Sequence, residues 1–530
     1  MKFTRCLQVS RPALLVALAL AAAVPGLAQT AQSNATAGDN ASVNASLGEL
    51  QSQVRELKEM VLQLQQQTMA GRAEISQLRQ ELEAQHSASG AVTGTVTGAE
   101  TAFDEPSPAI SSSSTPQLEH RVDQLAEDQQ LLSDKVNEQY QTKLESASKY
   151  RVRFSGIVLF NLFGNSGYPD NQDVPTWVLK PDPMDSPGSV GGTLRQSILG
   201  FEVFGPDVFG AHSSGNVNLD FGGGFPATYN GVNSGVVRLR TAAVRLDWKD
   251  TSLIAGQEGL FLSPQAPTSF ASLIVPALTY SGNLWSWTPQ LRIEHRFEFS
   301  NHSTVSLQGA VLDPVTGETP NNFSYVWYRA PDAGEESRQP AFAARVAYSH
   351  PLLGRTFTLG TGGYYSREYW GFNRNVNGYA ATADWNLPLN RWFTLSGFFY
   401  RGQAIGGLGA ALSRSVVYNG PLTDPATSVL PLNSVGGWAQ LKYQPLPKLE
   451  FNAAFGQDNP FAADIRFFGE QAQSYANPFL TRNRAGFGNV IYRPRSDLLL
   501  SLEYRRLQTF SVYDHSYDAG QLNMAMGILF

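Results

Sequence analysis

The sequence predicts an all-β transmembrane barrel of sixteen antiparallel strands, preceded by an α-helical coiled-coil region. Three observations support this fold class. Apolar and polar residues alternate through most of residues 150–530, and the connections between the alternating segments are short and long in turn. Charged residues make up 16% of the chain, against about 25% in an average soluble protein, so little of the surface is conventionally charged.

Residues 1–28 have the pattern of a cleaved signal peptide, with an uncleaved membrane anchor as the alternative. Three basic residues precede the apolar stretch "ALLVALALAAAV", and Gly26-Leu27-Ala28 supplies a small-x-small cleavage site. The single cysteine, Cys6, would be removed with this segment. Disulfides, thiol catalysis and Cys-ligated zinc are therefore excluded for the mature chain.

The next region predicts two coiled coils. After a flexible N-terminus at 29–46, apolar residues recur at spacings of three and four over 47–85, the pattern of a coiled coil. A Ser, Thr, Gly, Ala and Pro-rich linker follows at 86–116, and a shorter second coiled coil at 117–145. Leu and Val mix at the core positions, so two and three helices per coil both stay open. The alternative is a single amphipathic helix packed on its own domain.

Beyond Tyr150 the helical period gives way to a period of two. In "LRIEHRFEF", spanning 291–299, four apolar residues oppose four charged ones, so one face of the strand needs water and the other needs an apolar partner. Such segments lie near 150–160, 194–204, 215–223, 236–248, 251–258, 290–300, 303–312, 341–350, 355–367, 376–386, 392–402, 435–443, 448–456, 484–493, 497–508 and 521–530.

Connection length separates the two ends of the predicted barrel. Short turns such as "KD", "NH" and "PLLG" alternate with long loops, and only 205–214 is of intermediate length where a short turn is expected. Short turns at one end and long loops at the other are the plan of an outer-membrane barrel. A soluble β-sandwich, the alternative, has no reason to sort its loops by end.

Motifs for enzymatic chemistry are absent from the sequence. It contains no H-E-x-x-H, G-x-S-x-G or P-loop pattern, and no run of Lys or Arg that would bind nucleic acid. We therefore expect no enzyme activity, no cofactor, no metal site and no nucleic-acid partner. A hydrolase whose catalytic pair assembles across strands remains an alternative, because such a pair leaves no local motif.

Charged residues on the inward-facing rows are candidate pore-lining groups. They include Arg245, Arg292, Glu294, Arg296, Glu298 and Arg345. Rings of cationic side chains favour anions. Acidic residues are interspersed among them, however, so a neutralised network of salt bridges that stiffens the wall is an equally open interpretation.

Three further arginines predict an irregularity in one strand. In "SGVVRLRTAAVRLDW", Arg238 and Arg240 have one parity and Arg245 the other. Arginine near the bilayer midplane costs about 2–4 kcal/mol, so we predict a β-bulge near Thr241–Ala243 that turns all three inward. The alternative places Arg238 and Arg240 in the lipid-facing row at the extracellular rim.

The third long loop, 259–289, differs from the others because it is apolar and almost uncharged. A loop of this kind is improbable in open water, so we predict that it folds inward as a constriction loop or covers a protomer contact. Its candidate constriction residues are Glu258, Phe261, Leu273, Ile274 and Trp285.

With a signal peptide, a coiled coil, sixteen strands and a terminal Phe530, the chain resembles the trimeric porins of Gram-negative outer membranes. The segment "VVRLRTAAVRLDWKDTSLIAGQEGLFLSPQ" resembles the R-L-R … L-x-x-G-Q stretch of the dicarboxylate-channel (DcaP-like) porins, which also carry a coiled coil. This resemblance implies that Arg238, Arg240 and Arg245 line an anion-attracting constriction opposite the third loop. It also implies that Phe530 is part of the signal read by the barrel-insertion machinery.

The same resemblance implies a homotrimer in outer-membrane lipid and lipopolysaccharide, with the coiled coil in the periplasm. The expected function is passive diffusion of small polar or anionic solutes, carboxylates among them. Glu258 departs from the family pattern and the third loop carries little positive charge, which leaves dicarboxylate selectivity as one possibility. A structural alternative is an envelope tether that links the outer membrane to the cell wall through the coiled coil.

Overall fold

The structure is a computed structural model that describes residues 151–225, 235–300, 302–318, 329–474, 478–513 and 515–530. The predicted signal peptide, flexible N-terminus, linker and both coiled coils lie outside the described residues. They stay predictions. None of the helices in the described ranges is long and apolar enough to cross a membrane.

Nineteen strands are present in the described ranges. They are β1 (Arg151–Ser166), β2 (Gly188–Thr193), β3 (Ile198–Val208), β4 (Ala211–Asp220), β5 (Arg238–Asp247), β6 (Thr251–Gly259), β7 (Trp287–Glu298), β8 (Thr304–Leu312), β9 (Ala341–Leu352), β10 (Arg355–Tyr369), β11 (Asn375–Pro388), β12 (Phe393–Gln403), β13 (Val416–Tyr418), β14 (Val429–Pro431), β15 (Asn433–Leu446), β16 (Leu449–Pro460), β17 (Leu480–Tyr492), β18 (Leu498–Ser511) and β19 (Ser516–Leu529).

Sixteen of these strands form a closed antiparallel barrel, as the sequence predicted. Strand β1 pairs with β19 on one side and with both β2 and β3 on the other, so the sheet has no free edge. Strand β2 therefore extends the line of β3, whereas β13 and β14 form a small hairpin in the loop between β12 and β15. The short helices α1 (Ala333–Glu336) and α2 (Ala462–Arg466) lie in two other long connections.

One connection is shorter than the sequence predicted. Strands β3 and β4 extend through most of 205–214 and leave a two-residue turn, Phe209-Gly210. Both residues have positive φ, 51° and 76°, as in the type I′ turn that fits the twist of a tight hairpin. The short-turn end of the barrel is therefore more regular than predicted.

The two faces of each strand meet different surroundings. On β19, Leu522, Met524, Met526 and Ile528 are exposed on the outside of the barrel, whereas Gln521 and Asn523 between them are buried inside. Strand β1 repeats this division with Val158, Phe160 and Leu162 outside and Asn161 inside. An apolar exterior around a polar interior matches a barrel whose outer surface faces lipid.

Phe530 lies at the seam where the barrel closes. Its backbone exchanges two hydrogen bonds with Gly156 of β1, at 2.9 and 3.1 Å. Its ring lies 5.0 Å from that of Phe154, centroid to centroid. A Cβ on Gly156 would lie 2.9 Å from the Phe530 ring, so glycine makes room for the terminal aromatic side chain.

Candidate functional site

The interior of the barrel is crossed by the connection between β6 and β7, residues 260–286. This segment hydrogen-bonds to β15, β17, β18 and β1, and β15 lies seven strands from β6 around the ring. The segment therefore runs through the interior and reaches the opposite wall.

Polar side chains on the inner wall hold the loop backbone in place. Gln440 of β15 accepts from the amide of Thr268 at 2.6 Å, and Asn489 of β17 donates to the carbonyl of the same residue at 2.8 Å. Asn161 of β1 donates to the Phe270 carbonyl at 2.8 Å. An apolar loop thus satisfies its backbone groups through amide side chains of the wall.

Close packing seats the tip of the loop against the far wall. Leu262, Leu278 and Leu284 are buried in one cluster with residues of the wall strands. Gly282 has φ +95° and lies so near β15 and β16 that an added Cβ would collide with the Gly437 carbonyl oxygen and come within 2.6 Å of that of Gln457. A glycine is therefore required where the loop meets the wall.

The β-bulge predicted in β5 is present, with Arg240 as the extra residue. Asn218 of β4 is opposite Thr241, whereas the next residue of β4, Leu219, is opposite Leu239. Arg238 donates to Asp220 at 2.7 Å and to the Ile274 carbonyl at 2.7 Å.

Arg240 is also committed to groups inside the barrel. It donates to the Leu273 carbonyl at 2.7 Å and lies 3.8 Å from Asp220. Both Arg238 and Arg240 therefore donate hydrogen bonds to backbone carbonyls of the loop. Arg245, further along β5, faces the same interior.

Most of the predicted pore-lining charges are paired. Arg245 lies 2.8 Å from Asp247, Arg292 lies 2.9 Å from Glu294, and Arg345 lies 2.7 Å from Asp384. The same holds for Lys442 with Glu450 and for Arg505 with Glu503. These contacts correspond to the salt-bridge network, the second of the two interpretations that the sequence left open.

Three predicted site residues differ from this pattern. Within the described residues, the Arg296 guanidinium has no carboxylate partner and makes only long hydrogen bonds, to Ser252 at 3.4 Å and to the Lys249 carbonyl at 3.5 Å. Glu298 is exposed at the end of β7. The Glu258 carboxylate has no hydrogen bond or ion pair within the described part of the chain.

Two cavities open into the interior and share one residue. A cavity of about 520 Å³ lies among β3, β4, β5 and β7, with Arg245, Asp247 and Arg296 in its lining. A second cavity of about 380 Å³ lies against the loop, with Phe261, Trp285 and Trp287 in its lining. Glu258 is in the lining of both cavities, so this carboxylate side chain is close to both spaces.

The predicted loop residues divide into three groups. Glu258 was assigned to the constriction loop, but it belongs to β6, since that strand continues to Gly259. Phe261 and Ile274 are buried, and the Ile274 carbonyl binds Arg238 as described above. Leu273 packs beside the Leu159 cluster at β1, whereas Trp285 is half-buried and faces the second cavity.

Several residues that shape the interior were missed by sequence reasoning. Asp384 lies on the same buried row of β11 as Thr382, two residues earlier. The alternation along this strand would have identified Asp384 as inward-facing. Asn483 and Gln440 carry no charge and left no comparable signal. Their importance depends on a loop that is distant in sequence.

Two aspartates of the first long loop, Asp170 and Asp173, are already bound within the protein. Asp173 binds Arg195 through two hydrogen bonds of 2.7 and 2.8 Å, and Asp170 accepts from Thr176 and Trp177 within a turn. No group of three or more His, Cys, Asp or Glu side chains suited to a metal ion occurs among the residues that the structure describes.

A buried carboxyl group joins two of the long connections. Glu318, between β8 and β9, accepts hydrogen bonds from the amides of Ser415 and Val416 at 2.5 and 3.3 Å. Burial raises the pKa of Glu318 to about 7, although the two amides act in the opposite direction. At a given pH, a larger share of Glu318 is therefore protonated than of an ordinary glutamate.

We expect this contact to weaken as the pH rises. Because the folded pKa of Glu318 is raised, its contribution to stability is complete below the ordinary value of 4.5 and is lost as pH rises through about 7. Amide hydrogen exchange at Ser415 and Val416 should show lower protection factors at about pH 8 than at about pH 5. Glu318→Gln, which keeps an acceptor but does not ionise, should remove the difference. This expectation would be contradicted if the wild type and Glu318→Gln showed the same protection factors at both pH values.

Comparison with known proteins finds relatives in fold. Neither a protein-family model nor a curated protein sequence matches the chain. The outer membrane channel DcaP of Acinetobacter baumannii is similar with a TM-score of 0.54 and 15% identity, over 72% of this chain and 99% of that one. The anion-selective porin from Comamonas acidovorans matches with a TM-score of 0.44 and 10% identity, over 72% of this chain and 100% of its own. The likeness to DcaP establishes the barrel fold.

Proposed function

We propose that this chain, whose barrel has the fold of the outer-membrane channel DcaP, is an outer-membrane porin through which small hydrophilic solutes diffuse passively. The observation that carries the proposal is a closed barrel with an apolar exterior and a polar interior, in which a folded-in loop leaves two cavities that share Glu258 in their linings. No reaction is part of this function. Passage is controlled by width and by the charges along the wall.

Conductance measurements test this proposal directly. Purified protein inserted into a planar lipid bilayer should open discrete ion-conducting channels. Protein that folds as a barrel yet never conducts would exclude a diffusion channel.

The homotrimer implied by the sequence resemblance is tested by measuring the mass of the detergent-solubilised complex. A homotrimer would have three times the mass of one chain.

A preference for anions such as carboxylates is the finer hypothesis. Among the predicted pore-lining arginines, Arg296 has no carboxylate partner within the described residues, so it is the cation most available to a solute. Asp247 and Glu258 line the same cavity and oppose its field. We therefore propose that any anion preference is modest and depends on Arg296.

Replacement of this arginine should shift ion selectivity. Arg296→Gln is expected to lower the anion-to-cation permeability ratio roughly twofold, since it removes a lumen cation that forms no salt bridge within the described residues. Reversal potentials across a potassium chloride gradient measure the ratio. Arg506→Gln serves as the comparison, because it removes an exposed arginine on the outer row of β18. If the permeability ratio of Arg296→Gln equals that of the wild type, Arg296 does not determine ion selectivity.

The envelope tether concerns residues outside the described part of the chain and stays an alternative hypothesis. Deletion of 47–140 discriminates the two functions. A porin lacking this segment retains its conductance, whereas a tether lacking it loses envelope integrity, measured by leakage of periplasmic enzymes.

A further inference from the structure

Four aromatic side chains form a continuous series inside the barrel. Trp177 lies 5.3 Å from Tyr280, Tyr280 lies 6.2 Å from Trp285, and Trp285 lies 5.2 Å from Trp287, each measured between ring centroids. Successive rings meet edge to face. All four are only partly buried, and the series, here called the aromatic ladder, reaches the second cavity at one end, where Trp285 and Trp287 line it.

The first two rings are positioned by hydrogen bonds to the backbone that carries them and to the Tyr280 hydroxyl. Asp170 accepts from the Trp177 amide at 3.0 Å. Asn483, which is fully buried, donates to the Tyr280 carbonyl at 2.8 Å and to the carbonyl of the residue before Trp177 at 2.9 Å. Ser413 donates to the Tyr280 hydroxyl at 2.8 Å. One wall residue thus brings two different loops together at the point where their rings touch.

The other two rings are held by close packing. The Trp285 amide donates to the Leu408 carbonyl at 3.0 Å, and its ring lies where a Cβ on Gly409, which has φ +83°, would come within 2.8 Å. The guanidinium carbons of Arg238 and Arg240 lie 4.9 and 4.8 Å from the Trp287 ring centroid. Contacts within the protein therefore position all four rings.

The cavity beside the ladder offers mixed hydrogen-bonding groups, and within the described residues its lining holds no unpaired cation. Its lining includes the carboxylate of Glu258, the amide of Gln265 and the hydroxyls of Ser263 and Ser286. Arg292 lies in the lining too, but it is paired with Glu294. At about 380 Å³, the cavity falls within the size range of small-molecule sites.

We propose that the aromatic ladder is a binding track for sugar rings, a proposal that rests on the channel function given above. A pyranose has faces of C–H groups and a rim of hydroxyls. The C–H faces pack on aromatic rings, and the hydroxyls find the acceptors and donors of Glu258, Gln265 and the serines. A planar aromatic acid would also stack, but its carboxylate would meet the like charge of Glu258. The arginines near the ladder in the described residues are already bound to Asp220, to Glu294 or to loop carbonyls.

The track is tested by the block of ion current through single channels in planar bilayers. Maltose should interrupt the current in a concentration-dependent way, whereas sorbitol, which has hydroxyls but no ring, should not. Trp285→Ala should raise the maltose concentration for half-block about tenfold, the effect of losing roughly one aromatic contact. Each variant is compared with its own open-channel current, so a change in conductance alone does not count.

Two further variants complete the experiment. Trp177→Ala, at the other end of the ladder, should weaken the maltose block as well and provides a second readout if Trp285→Ala does not fold. Trp392→Ala removes an exposed tryptophan from the turn between β11 and β12 and should keep the wild-type value.

Distinct results would overturn the two proposals. A channel that conducts but is blocked no better by maltose than by sorbitol overturns the sugar track and leaves the channel function standing. Block by benzoate that depends on Trp285, without block by maltose, assigns the ladder to planar acids instead. Absence of any conductance overturns the channel function and the track with it.

Discussion

Replacing Gly282 with valine is expected to increase single-channel conductance by roughly twofold, because the third long loop can no longer seat against the far wall. Gly282 has φ +95°, a conformation that valine avoids, and its Cβ would collide with the carbonyl oxygens of Gly437 and Gln457. The neighbouring contacts would be lost too, among them the 3.2 Å hydrogen bond from the Trp438 indole to Asn283. Planar-bilayer recordings measure the effect.

Gly309 supplies a matched control for this substitution. It lies in β8, and an added Cβ would have no heavy atom within 4 Å. Gly309→Val should therefore keep the wild-type conductance. Circular dichroism establishes that both variants contain the folded barrel. If Gly282→Val folds and conducts like the wild type, the loop does not set the width of the passage.

The strands of this barrel could be predicted from sequence because their signal is local. Each strand carries its own alternation, and a residue such as Leu522 is outward-facing whatever its neighbours are. The error at 205–214 has a local cause as well. Gly210 allows a two-residue turn, and Gly205-Pro206-Asp207, three residue types typical of loops, lie within β3 although they indicated its end.

The path of the third long loop could be predicted only in outline. Its apolar composition indicated that it leaves the water, but not which wall it meets. The residues that receive it, such as Asn161, Gln440 and Asn489, lie on strands more than a hundred residues away. The aromatic ladder was missed for the same reason, since Trp177 comes from a different loop and is brought to Tyr280 by Asn483.

Which charges pair inside the barrel depends on how neighbouring strands are aligned, and this alignment could not be predicted from the sequence. Arg345 and Asp384 lie on β9 and β11, which are not neighbours, because β10 runs between them. The two side chains meet above Gly360 of β10. A Cβ at this position would come within 2.5 Å of both of them. No pattern of spacing identifies such a pair. The alternation of β9 nonetheless correctly predicted that Arg345 points inward.

This buried pair leads to the largest expected change in stability. Arg345 binds Asp384 through two hydrogen bonds of 2.7 and 3.0 Å, and the side chains are 8% and 1% exposed. Removing one partner leaves a buried charge uncompensated, so Arg345→Met or Asp384→Leu should lower the free energy of unfolding by about 3–5 kcal/mol. Urea unfolding of the barrel in detergent, followed by tryptophan fluorescence, measures the loss.

The double variant distinguishes a lost attraction from an unpaired charge. Because Arg345→Met/Asp384→Leu removes both charges, its free energy of unfolding should fall less than that of either single variant. The exposed pair Arg506 and Asp518 is the control, since its side chains are 71% and 42% exposed. Arg506→Met should cost about 0–1 kcal/mol. Single variants at Arg345 or Asp384 that cost no more than this control would mean that lumen water solvates the remaining charge, and that the salt-bridge network does not stiffen the wall.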